Sequence, residues 1–286
     1  MKLVNKTIAT VAGLAALGAL NLQPALADGS LKRVQDQGYV VTAVNQELPY
    51  AELKSDGTLV GVLPEVVETT LTRAGIGEFR GILIDWGAMI PGLQARRYDL
   101  VSGGLYINPK RCGAILFSQP VLCDAEGFLT KKGNPTGVTS YAELAAHPSA
   151  TVSTCPGCYE HMSAKRLGVA EDRFVLWDGN IQDGVQLVRT GRADVMLVPM
   201  ASARDVMSKM DDVEEFELVG PVPDLAGGCA AIGFNGNDRE LRDAFDAGLK
   251  SLQDSGEFDA ILKKWEGNPE IVRATSRELL CDGVPN

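Results

Sequence analysis

Histidine is scarce in this chain: only His147 and His161 occur among 286 residues. Without a cluster of imidazoles or a wider Cys/His set, a zinc centre has too few ligands of the usual kind, and no metal or other cofactor is expected. Aromatic residues are also few, at 6% of the chain. Positive charge is outnumbered, with 27 Lys and Arg against 37 Asp and Glu. Such an acidic surface repels nucleic acid and anionic lipid and favours solubility, so neither is an expected partner. Internal repeats and low-complexity tracts are absent. Long apolar runs are missing after residue 22, so no later segment is expected to span a membrane.

One apolar run is present, from Ile8 to Leu22, behind the basic residues Lys2 and Lys6. It ends at Ala25-Leu26-Ala27, an A-x-A cleavage pattern, so residues 1–27 read as a signal peptide and Asp28 as the mature start. Gly13, Gly18 and Asn21 interrupt the run, which argues against an uncleaved anchor, and no cysteine near the cleavage site offers a lipid attachment point. Losing Lys2 and Lys6 moves the formal charge from −10 to −12. A periplasmic location follows as the expectation. All six cysteines lie beyond the leader, as an oxidised set should, although six allow fifteen pairings. The pairing expected here is Cys112–Cys123, Cys155–Cys158 and Cys229–Cys281. Cys155-Pro156-Gly157-Cys158 reads either as a redox pair or as a structural clip before a helix; no thioredoxin-like pattern surrounds it, which favours the clip.

Strand and helix signals alternate along the remaining chain. Tyr39–Val44 is rich in β-formers, Pro64–Ala74 is helical with proline in its first turn and Gly75 beyond its end, and Ile82–Ile84 is strand-like. Met89–Arg97 (helix) and Leu100–Leu105 (strand) follow. After the polar stretch 131–135 the alternation resumes with a helix at Tyr141–Ala146 and a strand at Ala150–Ser153. It continues through Glu160–Leu167, Phe174–Trp177, Ile181–Thr190, Asp194–Val198 and Ser202–Met210. Two amphipathic helices, Arg239–Gln253 and Glu257–Trp265, end the pattern. This order predicts an α/β fold of two lobes, each a sheet flanked by helices. Residues 28–129 would form the first part of lobe one, 130–229 lobe two, and 230–286 the return to lobe one. Gly127–Thr130 and Ala230–Gly233 would be the two crossover strands, and a ligand would sit in the cleft between lobes.

The segments ELPYAELKSDGTLVGVLPEVV, MIPGLQARRYDLVSGGLYINPKRC, FSQPVLCD, ELAAHPSATVS, GRADVMLV and LKSLQDSGEFDAILKKW occur in that order. As an ordered set they resemble the extracellular solute-binding proteins of ABC importers, of the polar amino-acid type. The resemblance implies a two-lobed periplasmic-binding-protein fold, no catalysis, a small solute as ligand, membrane permease subunits as partners and a monomeric state. Members that bind α-amino acids carry a small hydroxyl residue after the glycine-containing strand end, an arginine five residues on, and an aspartate after GRxD. Here the arginine is Arg111, but the hydroxyl position is Tyr106 and the aspartate position is Pro199. These departures remove the usual partners of a free α-ammonium group.

The same layout puts Tyr50, Trp86 and Tyr106 at the cleft, where ring faces hold a delocalised cation, with Glu47 complementing the charge. Arg111 offers a planar fork for a carboxylate. In lobe two, Gly157 and Tyr159 lie in a turn before a helix whose N–H groups favour an anion. An ordinary structural role remains open for each: a surface ion pair for Arg111, core filling for the rings. AMIPGLQA, NPKRC and SQPVLCDAE make the chain most similar to the ectoine/hydroxyectoine-binding proteins, whose zwitterionic ligand has a ring amidinium and one carboxylate. A polar or cationic amino acid or a betaine is the alternative ligand, and a dehydratase of the same fold the alternative class.

Overall fold

The computed structural model describes residues 28–178 and 180–286; the expected signal peptide, 1–27, lies outside them. Two five-stranded sheets carry the molecule. In the first, the strand Tyr39–Val44 runs parallel to Glu78–Leu83 on one side and to the central Leu100–Val101 on the other, and Gly233–Phe234 and Leu116–Phe117 complete the order. The run YVVTAV suits this place because its β-branched side chains pack on both faces of a covered sheet. In the second sheet, Val195–Pro199 lies between Val152–Thr154, with Phe174–Leu176 outside it, and Glu126–Lys131, which also pairs with Phe216–Val219. This is the expected α/β architecture. The helices Arg239–Ser255 and Glu257–Lys264 return to the first sheet, burying Phe245, Leu249, Leu252 and Phe258 against Val66 and Leu71.

Two helix starts differ from expectation. The first runs Val62–Thr72, so Pro64 still sits in the opening turn, where its missing N–H has no intrahelical role. The second runs Trp86–Gln94, starting three residues before the expected Met89. The apolar period of that segment begins at Met89, whereas Trp86 faces the cleft and breaks the period. The strand expected at Leu100–Leu105 is short, Leu100–Val101, and its continuation reaches Tyr106, which bridges Ala230.

The crossover also needs correcting. Gly127–Thr130 lies wholly inside the second sheet, with neighbours on both sides. The link between lobes is a two-stranded ribbon, Leu122–Asp124 antiparallel to Gly228–Ala230. Within it Cys123 stands directly opposite Cys229, and the two form a disulfide. Cys112 pairs with Cys281. The expected pairs Cys112–Cys123 and Cys229–Cys281 are therefore wrong, while Cys155–Cys158 is present. The reason is the path of the C-terminal segment. Asn286 folds back onto the short helix Pro109–Cys112, its Nδ2 donating to the carbonyls of Cys112 (3.1 Å) and Ile115 (2.7 Å), which carries Cys281 to Cys112 rather than to the ribbon.

Peptide mapping of the oxidised protein is expected to return Cys112–Cys281 and Cys123–Cys229 linkages. The double variant Cys123→Ser/Cys229→Ser should lose about 2–4 kcal/mol of unfolding free energy, the usual worth of a long-loop disulfide, in a denaturant titration without ligand.

Candidate functional site

Arg111 is positioned by its own short helix. Asn108 caps Pro109–Cys112, its Oδ1 accepting from the Arg111 N–H at 2.9 Å, with Pro109 in the first position. The guanidinium is buried and donates from Nη1 to the Tyr106 carbonyl (2.8 Å) and from Nη2 to the Gly157 carbonyl (3.0 Å). Desolvation lowers its pKa to about 10, opposed by the charge of Glu160, so it stays protonated at neutral pH. Two of five N–H groups rest on neutral carbonyls. The positive charge is left for an anion.

The rings come next. The Tyr50 and Tyr106 hydroxyls hydrogen-bond to each other at 2.5 Å, with ring centroids 6.0 Å apart and planes tilted by 56°. Tyr159 continues the row, 5.2 Å from Tyr106. Burial pushes the Tyr50 and Tyr106 hydroxyls well above their ordinary pKa, so both rings are neutral. Two glycines make room for them. Gly104 has φ +97° and would place a Cβ 3.0 Å from Tyr50; a Cβ on Gly228 would fall 1.7 Å from the Tyr106 ring. Trp86 and Trp177 close the other side of the cavity.

Glu47 is buried, its Oε1 accepting from the Ser202 hydroxyl (2.7 Å) and Oε2 from Asn45 Nδ2 (3.1 Å). Desolvation, then the charge of Glu160, raises its pKa to about 7. Asp124 accepts from the Ala201 N–H (2.7 Å) at the start of helix Met200–Met207 and from the Tyr50 hydroxyl (3.3 Å).

Six of the residues singled out in the sequence, Glu47, Tyr50, Trp86, Tyr106, Arg111 and Tyr159, line one cavity. Gly157 does not line it: its carbonyl holds Arg111, and its φ of +76° brings it opposite Gly87, where a Cβ would meet the Gly87 Cα at 3.4 Å. The two lobes touch through Arg111 and Gly157, Glu47 and Ser202, and a bridge between Gln46 and Asn180. Cys155 and Cys158 form a wall of the cavity as a disulfide, and the bonded sulfurs offer no thiolate to Glu160 beside them. Glu160 and Trp177 went unnoticed in the sequence. Trp177 directly follows the strand Phe174–Leu176 and lines the cavity, which was a usable signal; Glu160 looked like an ordinary first-turn acid.

Gly228→Ala is expected to lower the ligand-free melting temperature, at a cost of about 1–3 kcal/mol, because its methyl overlaps Tyr106. Adding Tyr106→Ala to that variant should recover part of the loss. A melting temperature unchanged by Gly228→Ala would contradict this packing.

The fold and cavity can now be set beside known proteins. Residues 39–268 match the model of the bacterial extracellular solute-binding proteins, family 3. A probable amino-acid ABC transporter periplasmic-binding protein of Sinorhizobium fredii is 30% identical over 94% of this chain and 92% of its own. The arginine-binding extracellular protein ArtP of Bacillus subtilis is 28% identical over 75% of this chain and 80% of its own. The crystal structure of EhuB in complex with hydroxyectoine superposes with a TM-score of 0.85 at 37% identity, covering 89% of this chain and 98% of that one. The two-lobed periplasmic-binding-protein architecture is shared with these structures, and this chain belongs to the bacterial extracellular solute-binding proteins of family 3.

Proposed function

We propose that the protein is the periplasmic solute receptor of an ABC importer and that it captures ectoine or hydroxyectoine between its lobes. The observation that carries this reading is the juxtaposition, in one cavity, of a buried Arg111 resting only on carbonyls and a row of neutral aromatic rings. A carboxylate completes the guanidinium fork, and a delocalised ring cation lies on the faces of Tyr50, Tyr106 and Trp86, each contact contributing roughly 0.5–2 kcal/mol. Glu47, partly ionised near neutral pH, complements the cation, and Tyr159 adds ring area. The 37% identity to EhuB, described with hydroxyectoine bound, supports the same ligand class. In this reading the chain is exported and cleaved after Ala27. The chain before the ribbon strand Leu122–Asp124 and after Gly228–Ala230 makes one lobe, the chain between them makes the other in place of the expected 130–229, and the closed monomer docks on membrane permease subunits. The solute leaves chemically unchanged.

A cationic amino acid is the second reading. It is favoured by the several carboxyl groups about the cavity and by the arginine-binding relatives.

A thermal-shift and calorimetric screen of the mature protein distinguishes the two. Ectoine or hydroxyectoine is expected to bind at micromolar concentration or tighter, stabilising the fold by about 2.7 kcal/mol at 100 times its Kd. Strong binding of an α-amino acid with none of either ectoine would overturn the assignment. Arg111→Ala should weaken the bound solute by about 2–5 kcal/mol, as when one partner of a buried charge pair is truncated. Unchanged affinity would remove Arg111 from the site.

A further inference from the structure

We infer that a buried acid pair, Glu126 with Glu160, forms a second cation-reading element of the cleft, selecting solutes whose positive group carries N–H donors over quaternary ammonium cations. This rests on the reading of the cavity as a site for a positively charged solute. Glu160 lines the cavity from the first turn of helix Tyr159–Arg166. Glu126 stands behind it at the start of strand Glu126–Lys131, directly across the ladder from Pro199. Glu126 is 0% exposed, and among the described residues neither of its carboxylate oxygens has a hydrogen-bond partner. The two carboxyl groups are near enough for each to perturb the other's titration.

The groups facing the pair are Asp124, Glu47, Tyr50, Tyr106, Tyr141 and Tyr159, with Arg111 as the cation. Tyr141, too, keeps a buried hydroxyl without a partner among the described residues. Apolar residues of similar volume would serve the fold at least as well as this acid pair, so folding alone gives no reason for it. Desolvation drives the pKa of Glu126 well up and that of Glu160 up as well, so both carboxyl groups keep their protons to a higher pH than exposed acids do.

Aromatic faces accept any cation, quaternary ammonium included. Carboxylates are stricter, because an acceptor left without a donor in a buried site loses its hydration for nothing. An amidinium or ammonium supplies N–H groups to Glu160, and its charge favours the ionised form of Glu126 behind it, so capture shifts protons from the pair to solvent. A betaine cannot make those bonds.

The sign of the pH effect follows. Both folded-state pKa values lie above those of the unfolded chain, so their contribution to stability is full below the ordinary carboxylate range and declines as pH rises through the raised values. Glu47, shifted to about 7, adds to the same decline.

Wild type, Glu126→Gln and Glu160→Gln serve as the test, with ectoine, arginine and glycine betaine as probes. In calorimetry at pH 7, both variants should bind the N–H-bearing probe that wild type binds at least tenfold more weakly, while betaine binding does not fall. The wild-type heat should depend on the buffer's ionisation enthalpy, and this dependence should shrink in Glu126→Gln to the part that Glu47 contributes. Without ligand, Glu126→Gln should melt above wild type at pH 8 and level with it at pH 5. The proposal is overturned if N–H-bearing and quaternary probes weaken equally or not at all, or if the melting difference is independent of pH. Arginine binding that weakens in the variants, with no ectoine binding, would sustain the acid pair and end the ectoine reading. Ectoine binding undisturbed in both variants would do the reverse. If wild type binds no probe, the melting comparison decides.

Discussion

A charged guanidinium taken out of water is the constraint around which the cleft is arranged. Arg111 spans both lobes, donating to the Tyr106 carbonyl of one and the Gly157 carbonyl of the other. Neutral acceptors solvate the ion without cancelling it. Burial strengthens every charge interaction in the same space, because little water remains to screen it. The raised pKa of Glu47 and the neutrality of the tyrosines come from this same loss of solvent.

Ring placement depends on what is left out of the backbone. Gly228 leaves the volume that Tyr106 fills, and Gly104 combines a left-handed conformation with close contact to Tyr50. Gly87 and Gly157 meet across the cleft with no side chains between them. Large aromatic surfaces on a small cavity thus require small residues opposite them, and the sequence supplies glycine at each place where backbone and ring meet.

Most of the architecture was legible from periodicity, since Tyr39–Val44, Tyr141–Ala146, Ile181–Arg189 and Arg239–Ser255 carry strong local signals. Arg111 and the rings were legible through the resemblance to the solute-binding proteins, which places them at the cleft; local pattern alone left a structural role open for each. The disulfide pairs were not legible: Cys123 and Cys229 are 106 residues apart, and only the register of the ribbon brings them together. Glu126 escaped for a related reason. At the start of a strand its type suggests solvent, and its burial depends on the helix Tyr159–Arg166 and on Pro199 across the ladder. Acids buried by distant segments leave no periodic trace.

The ribbon's disulfide has a bearing on what proteolysis can do to the molecule. Two chain segments run between the lobes, and Cys123–Cys229 welds them side by side. The second sheet, from Glu126 to Val219, is thereby closed into a covalent ring attached to the rest of the molecule at one point. A protease that nicks any loop within that ring cuts the polypeptide, yet the two fragments stay joined through Cys123–Cys229 and again through Cys112–Cys281, and they separate only when a reductant opens both bonds.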